Sequence, residues 1–203
     1  MHWTEFTKLL VSLLVIINPI GTLPTFISLT KHMPASKKKR TAVVAAVATM
    51  MVLAASFAMG NAILAFFGIG IFSFRIAGGI LILLMSLDMM HGHKNTSTAD
   101  AKKECLAVVP IAIPLLAGPG AISASIIYAN TANHFYQFAF MAIVSLLSGL
   151  AVWMSLVASE PIERILGETG EDIATRVMGM VLGAVAIEYI SGGIGHLFPA
   201  LLG

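Results

Sequence analysis

Residues 42–90 read AVVAAVATMMVLAASFAMGNAILAFFGIGIFSFRIAGGILILLMSLDMM, about 49 residues in which Arg75 and Asp88 carry the charge. A bilayer core about 30 Å thick takes about 20 helical residues per crossing, so this run is too long for one crossing and long enough for two. Phe67-Gly68-Ile69-Gly70 supplies the punctuation between them. A tight hairpin of two membrane helices is therefore expected at the centre of the first half of the chain. Working outward, further long apolar runs lie near 9–29, 105–130, 135–158 and 173–192, and the central run divides into 42–67 and 69–90. Of 203 residues, 58% are apolar and 11% charged, against roughly 25% charged in an ordinary soluble protein. The expectation is an all-α integral membrane protein, a single transmembrane domain over 1–203 with six spans. The N-terminus lacks a basic n-region and a small-residue cleavage site, so the first run is expected to be a retained helix, with Trp3 at the interface.

Lys and Arg are unevenly shared among the loops. Numbering the connections alternately puts Lys31, Lys37, Lys38, Lys39, Arg40, Lys94, Lys102, Lys103 and Arg164 on one side and Lys8 on the other. Cytoplasmic loops are rich in basic residues, which predicts the loops after the first, third and fifth spans on the cytoplasmic side and both termini outside. Beside a span, the cluster Lys37–Arg40 reads as a topology anchor rather than a nucleic-acid site. In the fifth loop, Glu160, Glu163, Glu168, Glu171 and Asp172 surround Ile162, Ile165 and Leu166 at helical spacing, which predicts a short helix on the cytoplasmic face. Cys105 has no partner for a disulfide and reads as a small packing residue. His91 and His93, without carboxylate or thiolate partners, read as solvated rather than metal-binding. No cofactor or metal is expected, and no motif of an enzyme is present.

The chain reads as written twice. Five of eight prolines fall in two spans, Pro19 and Pro24 in the first and Pro110, Pro114 and Pro119 in the fourth. Asn18-Pro19-Ile20-Gly21 and Gly118-Pro119-Gly120-Ala121 lie 100 residues apart, and Arg75-Ile76-Ala77-Gly78-Gly79-Ile80-Leu81 matches Arg176-Val177-Met178-Gly179-Met180-Val181-Leu182 at an offset of 101. Halves of three spans each, about 1–93 and 104–203, have opposite orientations, so the expected symmetry is an inverted repeat.

Proline inside a helix removes a hydrogen bond and crowds the carbonyl four residues back. Within a membrane the freed N–H and C=O groups must be buried in protein or line a polar cavity. A half-helix starting after Pro19 or Pro119 presents N–H groups and a positive dipole end suited to a carboxylate. The half-helix before it ends in carbonyls suited to an ammonium. Two such breaks predict a site for a small zwitterion built from Asn18, Pro19, Ile20, Gly21 and Thr22 with Gly118, Pro119, Gly120, Ala121 and Ser123, supplemented by Thr25 and Ser125. Ordinary proline kinks are the competing reading. Of the ionisable residues, Glu188 is the deepest in an apolar run, either as carrier of a coupling proton or as structural partner of Arg75. Asp88 and Arg176 fall near the cytoplasmic ends of their helices, where solvation or an interfacial pair is expected. Gly179 and Gly183 have the small-xxx-small spacing of close helix packing, expected here within one chain.

With Asn18-Pro19-Ile20-Gly21, Gly118-Pro119-Gly120-Ala121-Ile122, Arg75-Ile76-Ala77-Gly78-Gly79 and the approach Val109-Pro110-Ile111-Ala112-Ile113-Pro114-Leu115, the chain resembles the MarC family of bacterial inner-membrane proteins over its whole length. That resemblance implies six helices in two inverted halves with the first and fourth broken. It also implies kinship with the SnatA-type transporters that move glycine and alanine with a proton. The partners it implies are a small zwitterionic substrate, protons and the lipid bilayer, with no nucleic acid. Export of another small metabolite or drug, or a structural or regulatory role without flux, are the alternatives.

Overall fold

The structure, a computed structural model, describes residues 3–31, 33–91, 118–131 and 135–198. Among these every regular element is a helix: α1 Trp3–Ile17, α2 Leu23–Thr30, α3 Ala35–Phe66, α4 Ile71–His91, α5 Pro119–Thr131, α6 Phe135–Val157 and α7 Ser159–Leu197. Four stretches among the described residues are long and apolar enough to cross a membrane: Ala35–Phe66, Ile71–His91, Phe138–Val157 and Asp172–Leu197. The first expected span is two short helices, α1 and α2, divided where its break was expected, and only the later part of the fourth, α5, is described. Residues 105–117, with Cys105, Pro110 and Pro114, lie outside the described residues, as does His93.

The central hairpin turns where two glycines were expected to turn it. Gly68 has φ 66, its N–H bonds the Ala65 carbonyl at 3.1 Å, and the Ile69 N–H bonds the Leu64 carbonyl at 2.9 Å. This paired closure satisfies the last carbonyls of α3 and requires a left-handed residue, which glycine supplies without a Cβ penalty. At its other end α3 begins earlier than expected, so Lys37, Lys38, Lys39 and Arg40 form its first turns. Cations there oppose the helix dipole. Glu160 of α7 offsets one of them, accepting a hydrogen bond from Lys38 Nζ at 2.9 Å.

Glu160 belongs to the short helix expected in the fifth loop. The α7 run is interrupted at Gly167 (φ 60, ψ 175), which separates Ser159 and its neighbours from the membrane stretch Asp172–Leu197.

α4 and α7 pack antiparallel along their lengths. Gly79 lies against the Ala186 carbonyl (3.0 Å from an ideal Cβ) and Ile190, while Gly179 lies against the Ser86 carbonyl (3.1 Å) and Met90. Each contact maps onto the other when 100 is added to one partner and subtracted from the other. Burial follows the same register, alternating identically along 79–90 and 179–190. Three-dimensional equivalence in this pair is therefore offset by 100, not by the 101 that the Arg75 and Arg176 segments gave. In this register Asp88 is the counterpart of Glu188, each level with the close-packed glycine of the other helix. Gly179 and Gly183 pack within the chain as expected: an ideal Cβ on Gly183 would lie 2.8 Å from Ser86 Oγ, and Ser86 Oγ donates to the Gly179 carbonyl at 2.8 Å.

A second layer is built on α3. Gly149 of α6 meets Met50 and the Ala46 carbonyl, Gly60 of α3 meets Ile126 of α5, and Phe57 packs edge-on to Phe138 at 5.2 Å. The core is formed by Leu13, Leu53, Ile82, Met141, Val144 and Leu182. Met51, Leu84, Leu146 and Met180 are more than half exposed, the outward apolar surface that a hydrocarbon solvent calls for.

Candidate substrate-binding breaks

α1 stops because Asn18 enters the left-handed region at φ 45, a conformation asparagine tolerates better than other non-glycine residues. Pro19 then cannot extend the helix. The Asn18 N–H still bonds the Leu14 carbonyl at 2.9 Å. Asn18 Oδ1 accepts from the Gly21 N–H at 3.2 Å, and Thr22 Oγ1 donates to the Pro19 carbonyl at 2.8 Å. The Leu23 N–H bonds the Ile20 carbonyl at 3.1 Å, after which α2 runs on. Asn18 Nδ2 reaches Met89 Sδ at 3.4 Å and ties the break to α4. Asn18 and Thr22 are buried, Pro19 half-buried and Ile20 exposed. The side chain of Thr25 lies outside the described residues.

At the second break the Gly118 carbonyl accepts from both the Ala121 and the Ile122 N–H groups, at 3.0 and 3.2 Å. Pro119 opens α5, the first helical position where its missing N–H costs nothing. Gly118, Gly120, Ala121, Ser123 and Ser125 are buried and Pro119 is exposed. Ser125 Oγ returns to the Ala121 carbonyl at 3.0 Å. An ideal Cβ on Gly120 would lie 2.7 Å from Ile82 and 3.1 Å from Ile16 at the end of α1, and one on Gly78 would lie 2.6 Å from Ser123. Both breaks thus pack against one stripe of α4.

Three expectations change. The two breaks were expected to form a site for a small zwitterion, but the space at Gly21 is filled by the Asn18 side chain and Met89, and that at Gly120 by Ile82 and Ile16. Several first-turn N–H groups expected to meet a carboxylate are bonded within the breaks themselves, Gly21 to Asn18 and Ala121 to Gly118. The breaks are closed on themselves in this conformation. Finally, Glu188 is exposed and makes no ion pair with Arg75, whose guanidinium instead lies 5.6 Å from the Tyr189 ring centroid. Asp88 and Arg176 are exposed, as expected for helix ends. His91 Nδ1 lies 2.7 Å from the Leu87 carbonyl of its own helix.

Sequence reasoning missed Ile16, Ile82 and Met89 as the residues that close the breaks. The spacing of Ile82 and Met89 on α4 was readable as a helical stripe, but nothing in it named the partner. A pocket of about 100 Å³ opens elsewhere, lined by Phe26, Lys38, Ala42, Leu156 and Glu160 among others, and includes no break residue.

The model of the MarC family of integral membrane proteins matches residues 3–198. The chain belongs to the MarC family. A UPF0056 membrane protein of Buchnera aphidicola subsp. Schizaphis graminum is 41% identical over 200 residues, covering 97% of this chain and 95% of the relative. The UPF0056 membrane protein YhcE of Escherichia coli (strain K12) is 37% identical, with the same coverage. The UPF0056 membrane protein MJ1677 of Methanocaldococcus jannaschii is 36% identical, covering 90% and 92%. No solved structure matches the chain. MarC membership agrees with an integral membrane protein, and the match runs through both breaks.

Proposed function

We propose that this MarC-family chain is a secondary transporter of small neutral amino acids of the glycine and alanine class. It works by alternating access in the inner membrane, with both termini periplasmic and the proton as coupling ion. The observation that carries the reading is that both breaks meet one stripe of α4, Asn18 and Gly21 at Met89 and Gly120 at Ile82, with Gly120 also touching Ile16 at the end of α1. Reciprocal contacts of Gly79 and Gly179 support two inverted halves, the architecture in which discontinuous helices hold substrate at the repeat interface. The closed packing corresponds to a resting state that a substrate must open, and the tight approach of Gly78 to Ser123 and of Gly120 to Ile82 favours a ligand with almost no side chain. Glu188, on the exposed face of α7, is the proposed carrier of the coupling proton.

Melting of the purified protein in lipid nanodiscs over a panel of amino acids, sugars and drugs tests this. Glycine and alanine at 100 times their Kd add about 2.7 kcal/mol of stability, and leucine adds none. A panel in which no small amino acid raises the melting temperature, or in which a drug does, overturns it.

A further inference from the structure

Arg75 sits near the start of α4, four residues after Ile71, where the helix dipole already disfavours a cation. Its Nε is buried and has no hydrogen-bond partner among the described residues. The guanidinium is held between the Tyr189 ring and Gly192, where an ideal Cβ would come within 2.7 Å of Nη2. Among the described residues, the charged and titratable groups nearby do not neutralise it. Glu188 is exposed and unpaired with it, and His196 stacks on Phe72 at 4.5 Å. The face of Tyr189 offers a quadrupole, not a charge. An ionisable group in a span without a counter-charge is costly and marks a path for charged ligands.

Its place in the fold says which ligand. Arg75, Gly78 and Ile82 share one stripe of α4, and Gly78 and Ile82 meet Ser123 and Gly120 of the second break. Arg75 is one helical turn, about 5 Å, from Gly78. We propose that Arg75 binds the carboxylate of the small amino acid beside the second break. Tyr189 and the bare backbone of Gly192 position the guanidinium, and its planar fork takes the carboxylate through two parallel N–H donors. The choice of an amino acid rests on the transporter reading, whereas the carboxylate site does not. A phospholipid phosphate offers the same anionic oxygens from the bilayer, so the test separates the two sources.

The full chain is melted in nanodiscs of phosphatidylcholine, with and without phosphatidylglycerol, in the presence of glycine, glycinamide or acetate. For the wild type, glycine and acetate raise the melting temperature and glycinamide does so far less. In Arg75→Gln both shifts vanish and glycine affinity falls about tenfold or more, while Arg164→Gln, an exposed change on the short helix, behaves as wild type. Acetate protection that needs Arg75, without any gain from glycine's ammonium, keeps the carboxylate site and removes the amino-acid reading. Wild-type glycine affinity in a cooperatively melting Arg75→Gln overturns the proposal. So does a melting temperature that follows phosphatidylglycerol through Arg75 while acetate is inert. Should Arg75→Gln not fold, Arg75→Lys is decisive, because it keeps the charge and loses the fork: weakened glycine binding supports the site, and undiminished binding overturns it.

Discussion

At Asn18 one residue does three things: it ends α1 at φ 45, accepts the Gly21 N–H, and reaches Met89. Replacing it separates these roles. Asn18→Gly keeps the left-handed backbone and loses the side-chain bonds, for a destabilisation of about 1 kcal/mol, whereas Asn18→Ala also incurs the left-handed penalty and costs about 2 kcal/mol. Chemical unfolding of both variants in detergent checks the order, and equal effects would mean that the backbone conformation contributes nothing. Gly120 is filled rather than open, so Gly120→Val overpacks the Ile82 and Ile16 contact and lowers stability by about 1–3 kcal/mol. A loss of binding in that variant is informative only after its melting temperature is known. Glu188 lies on the exposed face of α7, away from the contacts of both breaks, so Glu188→Gln retains glycine affinity within about twofold while losing accumulation driven by a pH gradient. Undiminished accumulation removes Glu188 from coupling. The breaks were legible at this scale because Asn-Pro and Gly-Pro interrupt a helix by local chemistry alone. Their closure was not, since Met89 and Ile82 come from a helix some 70 and 40 residues distant in sequence.

Among the elements, the two glycines with positive φ set the joints. Gly68 closes α3 and faces open space, so Gly68→Ala meets no neighbour and costs about 1 kcal/mol through φ alone. Gly167, at φ 60 and ψ 175, occupies a region that is essentially glycine's own. Gly167→Ala therefore straightens the joint between the short helix and its span, read as altered protease access near Glu160. The same short helix is fastened to α3 by Lys38, whose hydrogen bond and charge, with a smaller contribution from Arg164, hold the Glu160 carboxyl below its ordinary value of 4.5. A depressed carboxylate stabilises the folded state above its unfolded pKa, and the contribution disappears as pH falls through the folded value. The melting temperature of wild type thus declines below about pH 4.5 by more than that of Glu160→Gln, an effect that salt weakens because the pair is exposed. The hairpin and the short helix were legible from glycine placement and from apolar residues at helical spacing. Register was not: Arg75 and Arg176 align in sequence at 101, yet the glycines that meet across α4 and α7 align at 100, because packing is decided by where backbones approach and not by where charges match.

For the whole molecule, the composition excludes a soluble domain and the helices supply the outward apolar faces. The basic residues of α3 and the Glu160 helix lie together at one end, the arrangement expected of a cytoplasmic face. Reporter fusions at Met1 and Gly203 should be active only in the periplasm, and a cytoplasmic C-terminus reverses the orientation. What was legible of function was the MarC family and the place of the two helix breaks, since local chemistry records where a helix is interrupted far better than what the break serves. In the proposed function the two breaks move a small amino acid. Uptake of labelled glycine into proteoliposomes of the purified chain, with a pH gradient imposed in either direction, tests it most directly. The account predicts saturable accumulation that alanine competes and leucine does not, and that Asn18→Ala abolishes in protein still cooperatively folded. Glycine flux equal to that of protein-free liposomes, under both gradients, would contradict it.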